Sequence, residues 1–479
     1  MEHSYNGRGD LLETVRTDSA GSERTTYAYD AAFRLTLITD HTGTETTFTN
    51  DANNRRTEIS HPDGAVEERT YDDSGRLTGI TTTGAAGQSL VEASYSYDND
   101  GADSDQLQSR TIDGDTEEFT YDGLDRLTSN GEIDYAYDDA GNLTSAGGED
   151  LAYNDADQVT DARGVEVDHD EAGNMTSRGG RVLEYSLTNQ FLQADEDADL
   201  ATSISYDTTN QTQMRGITEA HEGERIDRQL SNTALGVTNV ASEGERTSFV
   251  RDANGELISM VAWDGEERFH FTTDHQNTVL AITAEGSEAE SPDVVYDYTP
   301  FGERSMEASD QSGAASLNPF GFTGAYQFQD GTVHLGYRFY DTNTLNFTQP
   351  DPSRQEMNNY AYGMGDPINN VDWTGLMSLA IAAGTIGSAA AGAAAAVGMA
   401  AVCGASLGVG CLLGGVVVGA AASGFGGVVG AGLAGGSQSE IASSGRAGLV
   451  GGAVTGPLPA APGLLISLGT SGFLVSDSA

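Results

Sequence analysis

The 479-residue chain carries 23 basic and 73 acidic residues, a formal net charge of −50, and two cysteines. Every basic residue is arginine, which excludes chemistry built on a lysine amine, such as a P-loop, a Schiff base or a Ser-Lys dyad. The charge argues against nucleic acid as a partner, because a polyanion needs a basic face, and two cysteines make neither a disulfide framework nor a four-cysteine zinc site.

In chain order, the first feature is a family of turns. Tyr29-Asp30 leads into Phe33-Arg34-Leu35, Tyr71-Asp72 into Ser74-Gly75-Arg76-Leu77, Tyr121-Asp122 into Asp125-Arg126-Leu127, and Tyr137-Asp138 into Gly141-Asn142-Leu143. Worn copies stand at Asn50-Asp51, Tyr97-Asp98, Asn154-Asp155, His169-Asp170 and Tyr206-Asp207. The spacing is too loose for a rigid solenoid period. Each copy predicts strand, turn, strand: aromatic residues favour a pleated surface, Asp caps the turn, and Gly or Asn supplies a positive φ. One hairpin is marginal alone, so the copies must join a continuous sheet. The Tyr-Asp pairs are therefore read as structural turns and not as catalytic pairs, and the fold class as mainly β.

At these residues the chain resembles the YD-repeat, or Rhs, family, whose signature pattern stands at 71–77. The resemblance implies that the β-hairpins of residues 1–265 spiral into a shell of the teneurin type. Tyr5-Asn6-Gly7-Arg8-Gly9-Asp10-Leu11 looks like a worn repeat, so Met1 is expected to fall inside the pattern, as in a short or truncated member. An upstream shell or export partner is expected on the same ground. The N-terminus has no apolar signal region.

A denser series follows over 266–376. It runs from Asp274-His275-Gln276-Asn277 through Tyr296-Asp297-Tyr298-Thr299-Pro300-Phe301-Gly302, Leu335-Gly336-Tyr337-Arg338-Phe339-Tyr340-Asp341 and Gln349-Pro350-Asp351-Pro352 to Asp372-Trp373-Thr374-Gly375-Leu376. As one ordered set it resembles the Rhs repeat-associated core, which precedes a variable payload. The resemblance implies self-cleavage by an aspartate pair and an arginine, here Asp351, Asp372 and Arg338, with the scissile bond at Leu376-Met377. Two carboxyl groups within hydrogen-bond reach share one proton, so one activates water while the other protonates the departing amide. The chain departs from the family pattern twice: Trp373 replaces the usual proline, and Ser353-Arg354-Gln355-Glu356 replaces a glycine-containing stretch. Read without the resemblance, Asp-Pro and Asp-x-x-Gly are ordinary turn starters.

Residues 377–479 are a different polymer. Arg446, Glu440 and Asp477 are their only formal charges, and 25 of these 103 residues are glycine. Ser378–Val402 and Cys411–Leu433 are each long enough to cross about 30 Å of hydrocarbon as a helix. Small residues four apart, such as Gly404/Gly408 and Gly410/Gly414, suit close helix packing in lipid. A membrane-active, α-helical tail is expected over 378–433, with Cys403 and Cys411 placed to close the intervening loop by a disulfide outside the cytosol. A Gly/Ala-rich spacer, or a segment that stays inside the shell, is the alternative.

No HExxH occurs and the eight histidines lack metal-ligand spacing, so no metal or cofactor is predicted. Asp98-Asn99-Asp100-Gly101 with Asp103 and Asp105 lacks the closing glutamate of a calcium loop and is read as a solvated turn. Abundant short acids and absent lysine fit adaptation to high salt, while 19 Tyr and 15 Phe argue against disorder. The expected function is an Rhs-type polymorphic toxin that releases its tail by aspartyl self-cleavage, with an immunity partner and no turnover of external substrates. Its place would be the cell surface, the medium or a membrane. The alternatives are a surface-anchored YD-repeat protein that does not cut itself, and a broken gene product too short to close a shell.

Overall fold

The Tyr-Asp motif staples three strands together. In the computed structural model, strand Val66–Tyr71 pairs antiparallel with Leu77–Thr83. Between them Asp72 accepts the Arg76 backbone N–H at 2.8 Å and the Arg76 Nε at 2.6 Å, and Gly75 takes the left-handed conformation, φ +90°, that closes the turn. The Tyr71 hydroxyl donates to the Arg56 carbonyl of the preceding repeat at 2.7 Å. In turn Arg55 donates to the Asp72 carbonyl at 2.9 Å and lies over the Tyr71 ring.

The same wiring recurs down the chain. Tyr29 reaches the Leu11 carbonyl, Tyr121 that of Leu107 and Tyr206 that of Phe191. Arg34 reaches the Asp51 carbonyl and Arg126 that of Asp138. Where Asn replaces Arg, its amide does both jobs over a shorter span: Asn142 bonds Asp138 at 2.9 Å and Asp157 of the next turn at 3.1 Å. These repeats are thus hydrogen-bonded to their neighbours along the row.

The structure describes residues 2–380 apart from 19–20, 196–199, 211, 222, 263–264, 266 and 309–312. Among the described residues, an 11-stranded sheet runs from Glu2–Tyr5 to Asp115–Glu118 and an 18-stranded sheet from Tyr135–Tyr137 to Arg304–Ala308. Both are antiparallel meanders in which strands pair with their neighbours in sequence, except that Ser89–Ser96 pairs with Ser109–Ile112 across a small separate hairpin, Asp98–Asn99 with Ala102–Asp103. The only α-helix among these residues is Ala314–Leu317, and no helix is long and apolar enough to cross a membrane. The chain is mainly β, in long antiparallel sheets, as the sequence predicts. The predicted helical tail, its two membrane stretches and the Cys403–Cys411 pair lie outside the described residues.

Strands at 245–261 are covered on both faces, and successive residues show it. Phe249, Leu257 and Met260 join the large aromatic core, while Val250 and Ile258 face Leu11, Tyr27, Ile38, Phe48 and Ile59 of the first strands. Ion pairs lock the same junction. Arg56 pairs with Asp252 and Glu256 at 2.5 Å each, and Arg69 bridges Glu256 and Glu67. Burial alone would raise the Glu256 carboxyl, but the Arg69 and Arg56 guanidinium groups hold it below the usual range.

After Ala308 the chain lays its aromatic residues on the large sheet. Phe320 packs edge-on to Phe249 and Phe339 against Phe191. Residues 344–370 then run along the row of Tyr-Asp turns and bond to them one by one. Gln349 donates to the Asn189 carbonyl, Tyr360 to that of Gly173, and Asn358 to the Asn142 side chain. Asn346 donates to the Tyr153 hydroxyl and Tyr137 to the Gly365 carbonyl. This track delivers Asp351 and the loop after Val371 to one place.

Candidate active site

Three short pieces of chain form the site. Arg338 begins strand Arg338–Asp341, which is paired with Thr332–Leu335 in a four-stranded sheet. Asp351 lies in the turn after Gln349-Pro350, its backbone N–H held by the Asn359 carbonyl at 3.0 Å. Asp372 follows strand Asn370–Val371, which pairs with Leu379–Ala380 on the far side of the loop. The Leu376–Met377 peptide therefore sits in a hairpin loop whose two ends are paired.

Glycine lets the loop approach closely. Gly375 has φ +66°, and a Cβ built there would stand 2.3 Å from the Leu335 carbonyl oxygen and 2.9 Å from the Arg338 nitrogen. Only a residue without a side chain fits between that hairpin and the loop. Tyr337 donates its N–H to the Thr374 carbonyl at 2.9 Å and Arg338 its Nε to the Gly375 carbonyl at 2.5 Å, which fixes the loop from that side.

The structure brings the three sequence-predicted residues together around the predicted bond. Arg338, Asp351 and Asp372 are 1%, 2% and 0% exposed, so their pairing takes place away from solvent screening. Arg338 Nη2 donates to Asp372 Oδ2 at 3.1 Å, Nη1 to the Asn359 carbonyl at 2.9 Å, and the guanidinium lies 3.5 Å from the Phe347 ring centroid. Burial pushes the Arg338 guanidinium below its ordinary range, and the facing carboxyl groups of Asp372, Asp351 and Glu356 oppose that shift.

Asp372 grips the amide side of the bond. Its Oδ1 accepts the N–H of Leu376 and the N–H of Met377, each at 3.1 Å, and the Thr374 hydroxyl at 3.2 Å. Asp351 reaches the carbonyl side through one intermediary. Ser353 Oγ lies 2.7 Å from Asp351 Oδ2 and 2.9 Å from the Leu376 carbonyl oxygen. The two carboxyl groups thus meet one peptide at opposite ends.

Two further residues of the site were not predicted. One is Ser353. The other is Glu356, whose Oε1 accepts the Ser378 N–H at 2.6 Å, one residue beyond the bond. Burial, with the nearby Asp372, raises the Glu356 carboxyl above its ordinary range, against the pull of the Ser378 hydrogen bonds. Both belong to the stretch that departs from the family pattern, and that departure was the available signal. Among the described residues no group of three or more His, Cys, Asp or Glu is arranged to hold a metal ion.

Comparison with known proteins agrees with the fold. The teneurin YD-shell family model matches residues 134–368 and the RHS-repeat model residues 5–40. No curated protein matches the chain. Among solved structures, TcdB2-TccC3-Cdc42 superposes with a TM-score of 0.60 at 15% identity, over 78% of this chain and 23% of that one. The Photorhabdus luminescens Tc holotoxin pore, carrying a TccC3 substitution, gives 0.62 at 16%, over 80% and 22%. TcdB2-TccC3-TEV gives 0.62 at 17%, over 78% and 21%. This chain spans about a fifth of the length of those chains.

Proposed function

The chain belongs to the RHS, or YD-repeat, family with a teneurin-type YD-shell, and on that premise we propose that it is a toxin-delivery protein that cuts its own Leu376–Met377 bond. The observation that carries the reading is the clamp on that bond: Asp372 on the Met377 N–H at 3.1 Å, and Asp351 on the Leu376 carbonyl through Ser353. A peptide held at both ends beside two buried carboxyl groups has the parts that acid–base hydrolysis needs.

The chemistry follows from the placement. Asp372, already bonded to the leaving nitrogen, takes a proton from the attacking water and passes it to that nitrogen as the C–N bond breaks. Arg338 steadies the Asp372 carboxylate and, through the Gly375 carbonyl, the approach of the loop. The reaction is intramolecular and turns over no external substrate.

Residues 1–265 form the repeat shell in this proposal, 266–376 the core and 377–479 the payload, with 378–433 directed at a target membrane. Two of the TccC3 structures are of TcdB2-TccC3, and one of these names Cdc42; a partner chain that completes the enclosure is the corresponding expectation here. An immunity protein would protect the producing cell. Export to the surface or the medium, and life in high salt, complete the proposal.

The test is intact mass of the full chain, folded in high salt, beside Asp351→Asn and Asp372→Asn. The wild type is expected in two pieces and both variants whole. An uncut wild type would leave the surface-anchored, non-cleaving protein as the better account.

A further inference from the structure

Ser353 is the only hydroxyl among the described residues that touches the Leu376 carbonyl oxygen, at 2.9 Å, and it is also 2.7 Å from Asp351 Oδ2. It is held there firmly. Its own N–H donates to Asp351 Oδ1 at 2.8 Å, and Gln355 N–H donates to Asp351 Oδ2 at 3.3 Å, so the turn fixes the hydroxyl against the carboxyl group. On the other side of the bond Glu356 holds the Ser378 N–H, so the peptide cannot swing away from Ser353 without breaking that contact. The backbone donors of Leu376 and Met377 both point at Asp372, which leaves the carbonyl oxygen of the bond to Ser353.

We propose that Ser353 is a catalytic residue of the self-cleavage: its hydroxyl donates to the Leu376 carbonyl oxygen and relays a proton between that oxygen and Asp351. The proposal rests on the self-cleavage reading and goes beyond the aspartate pair by naming the donor on the oxyanion side. Water oxygen bonds to the Leu376 carbonyl carbon while Asp372 takes one water proton. The carbonyl π pair moves onto oxygen, which receives the Ser353 hydroxyl proton as Asp351, carrying its own proton, reprotonates Ser353. Collapse re-forms the C=O and breaks the C–N bond. The oxygen's proton returns through Ser353 to Asp351, and Met377 nitrogen takes the proton from Asp372. One water is consumed, and the products are the Leu376 acid and the Met377 amine.

A donor placed where charge develops is worth about 10²- to 10³-fold in rate. The full chain is unfolded in urea, diluted into high-salt buffer, and the appearance of the 377–479 fragment is timed by intact mass. Ser353→Ala should cut about 10²- to 10³-fold more slowly than wild type, and Ser353→Thr, which restores a hydroxyl, should recover most of that loss. A merely structural serine would not give that split between alanine and threonine. If Ser353→Ala does not refold, Ser353→Cys replaces it, since a thiol keeps the size but is a weak donor, and the same slowing is expected.

Cutting by Ser353→Ala within about twofold of wild type would overturn the proposal and leave the aspartate pair standing. So would a Leu376 hydroxamate formed by the wild type in hydroxylamine, because that product marks Ser353 as a nucleophile and not a donor. A wild type that never cuts overturns the self-cleavage reading itself, and this proposal with it.

Discussion

Asp366 stands 3% exposed beneath the Tyr121 and Tyr137 turns, and burial pushes its carboxyl up to about 6 even though Asn369 donates to it from both its backbone and its side chain. A carboxyl raised in the folded state favours folding while it is protonated. Its contribution is whole below the unfolded value of 3.8 and is lost as pH rises through about 6. Asp366→Asn removes the charged form. The variant should gain on the wild type by about 2–3 kcal/mol between acid and neutral pH, less what Asn369 loses as a donor. Urea unfolding at pH 4 and pH 8 measures the gap, and a gap that does not grow with pH contradicts it. At this scale the family resemblance singled out Arg338, Asp351 and Asp372, because each sits in a recognisable motif. It gave no role to Asp366, Ser353 or Glu356, whose places are set by burial and by contacts across 20 or more residues of chain.

At the scale of elements, the repeat is a chain of local caps joined by longer reaches. The Asp72 cap resembles a helix N-cap, since one carboxylate satisfies the Arg76 N–H of the turn and pairs with the Arg76 guanidinium. Asp72→Ala should cost about 1–2 kcal/mol. Tyr71→Phe removes only the bond to the Arg56 carbonyl and should cost about 1 kcal/mol. Denaturant midpoints of the two variants check the order, and a larger loss for Tyr71→Phe would contradict the assignment of the cap as the stronger contact. Turns and strands were legible in the sequence because Tyr-Asp, the glycine or asparagine, and Arg-Leu lie within seven residues. The reach of Arg55 to the Asp72 carbonyl was not, because loose spacing gives no sign of which turns stack. Phe33 shows a further limit. It takes the left-handed position, φ 65°, that Gly75 fills in the clearest copy, and Arg8 stacks on its ring. Nothing local in Phe33-Arg34 announces either.

At the scale of the molecule, the first strands meet strands some 200 residues later through Arg56, Arg69, Asp252 and Glu256, a junction with no local sequence signal. Around these buried pairs the charge is overwhelmingly negative, 22 arginines against 71 acids in residues 1–376. Self-repulsion opposes the compact state, and salt shortens its range from about 10 Å at 0.1 M to about 3 Å at 1 M. Thermal unfolding should therefore shift upward between 0.1 M and 2 M NaCl, and a flat or falling midpoint would contradict the role given to charge. The central claim concerns where the chain divides. The most direct measurement is the exact mass of the pieces from the folded 50.0 kDa wild type. The account predicts a fragment ending at Leu376, a fragment beginning at Met377, and a combined mass one water above that of the chain. A cut at another bond, or a chain that stays whole when folded, would contradict it.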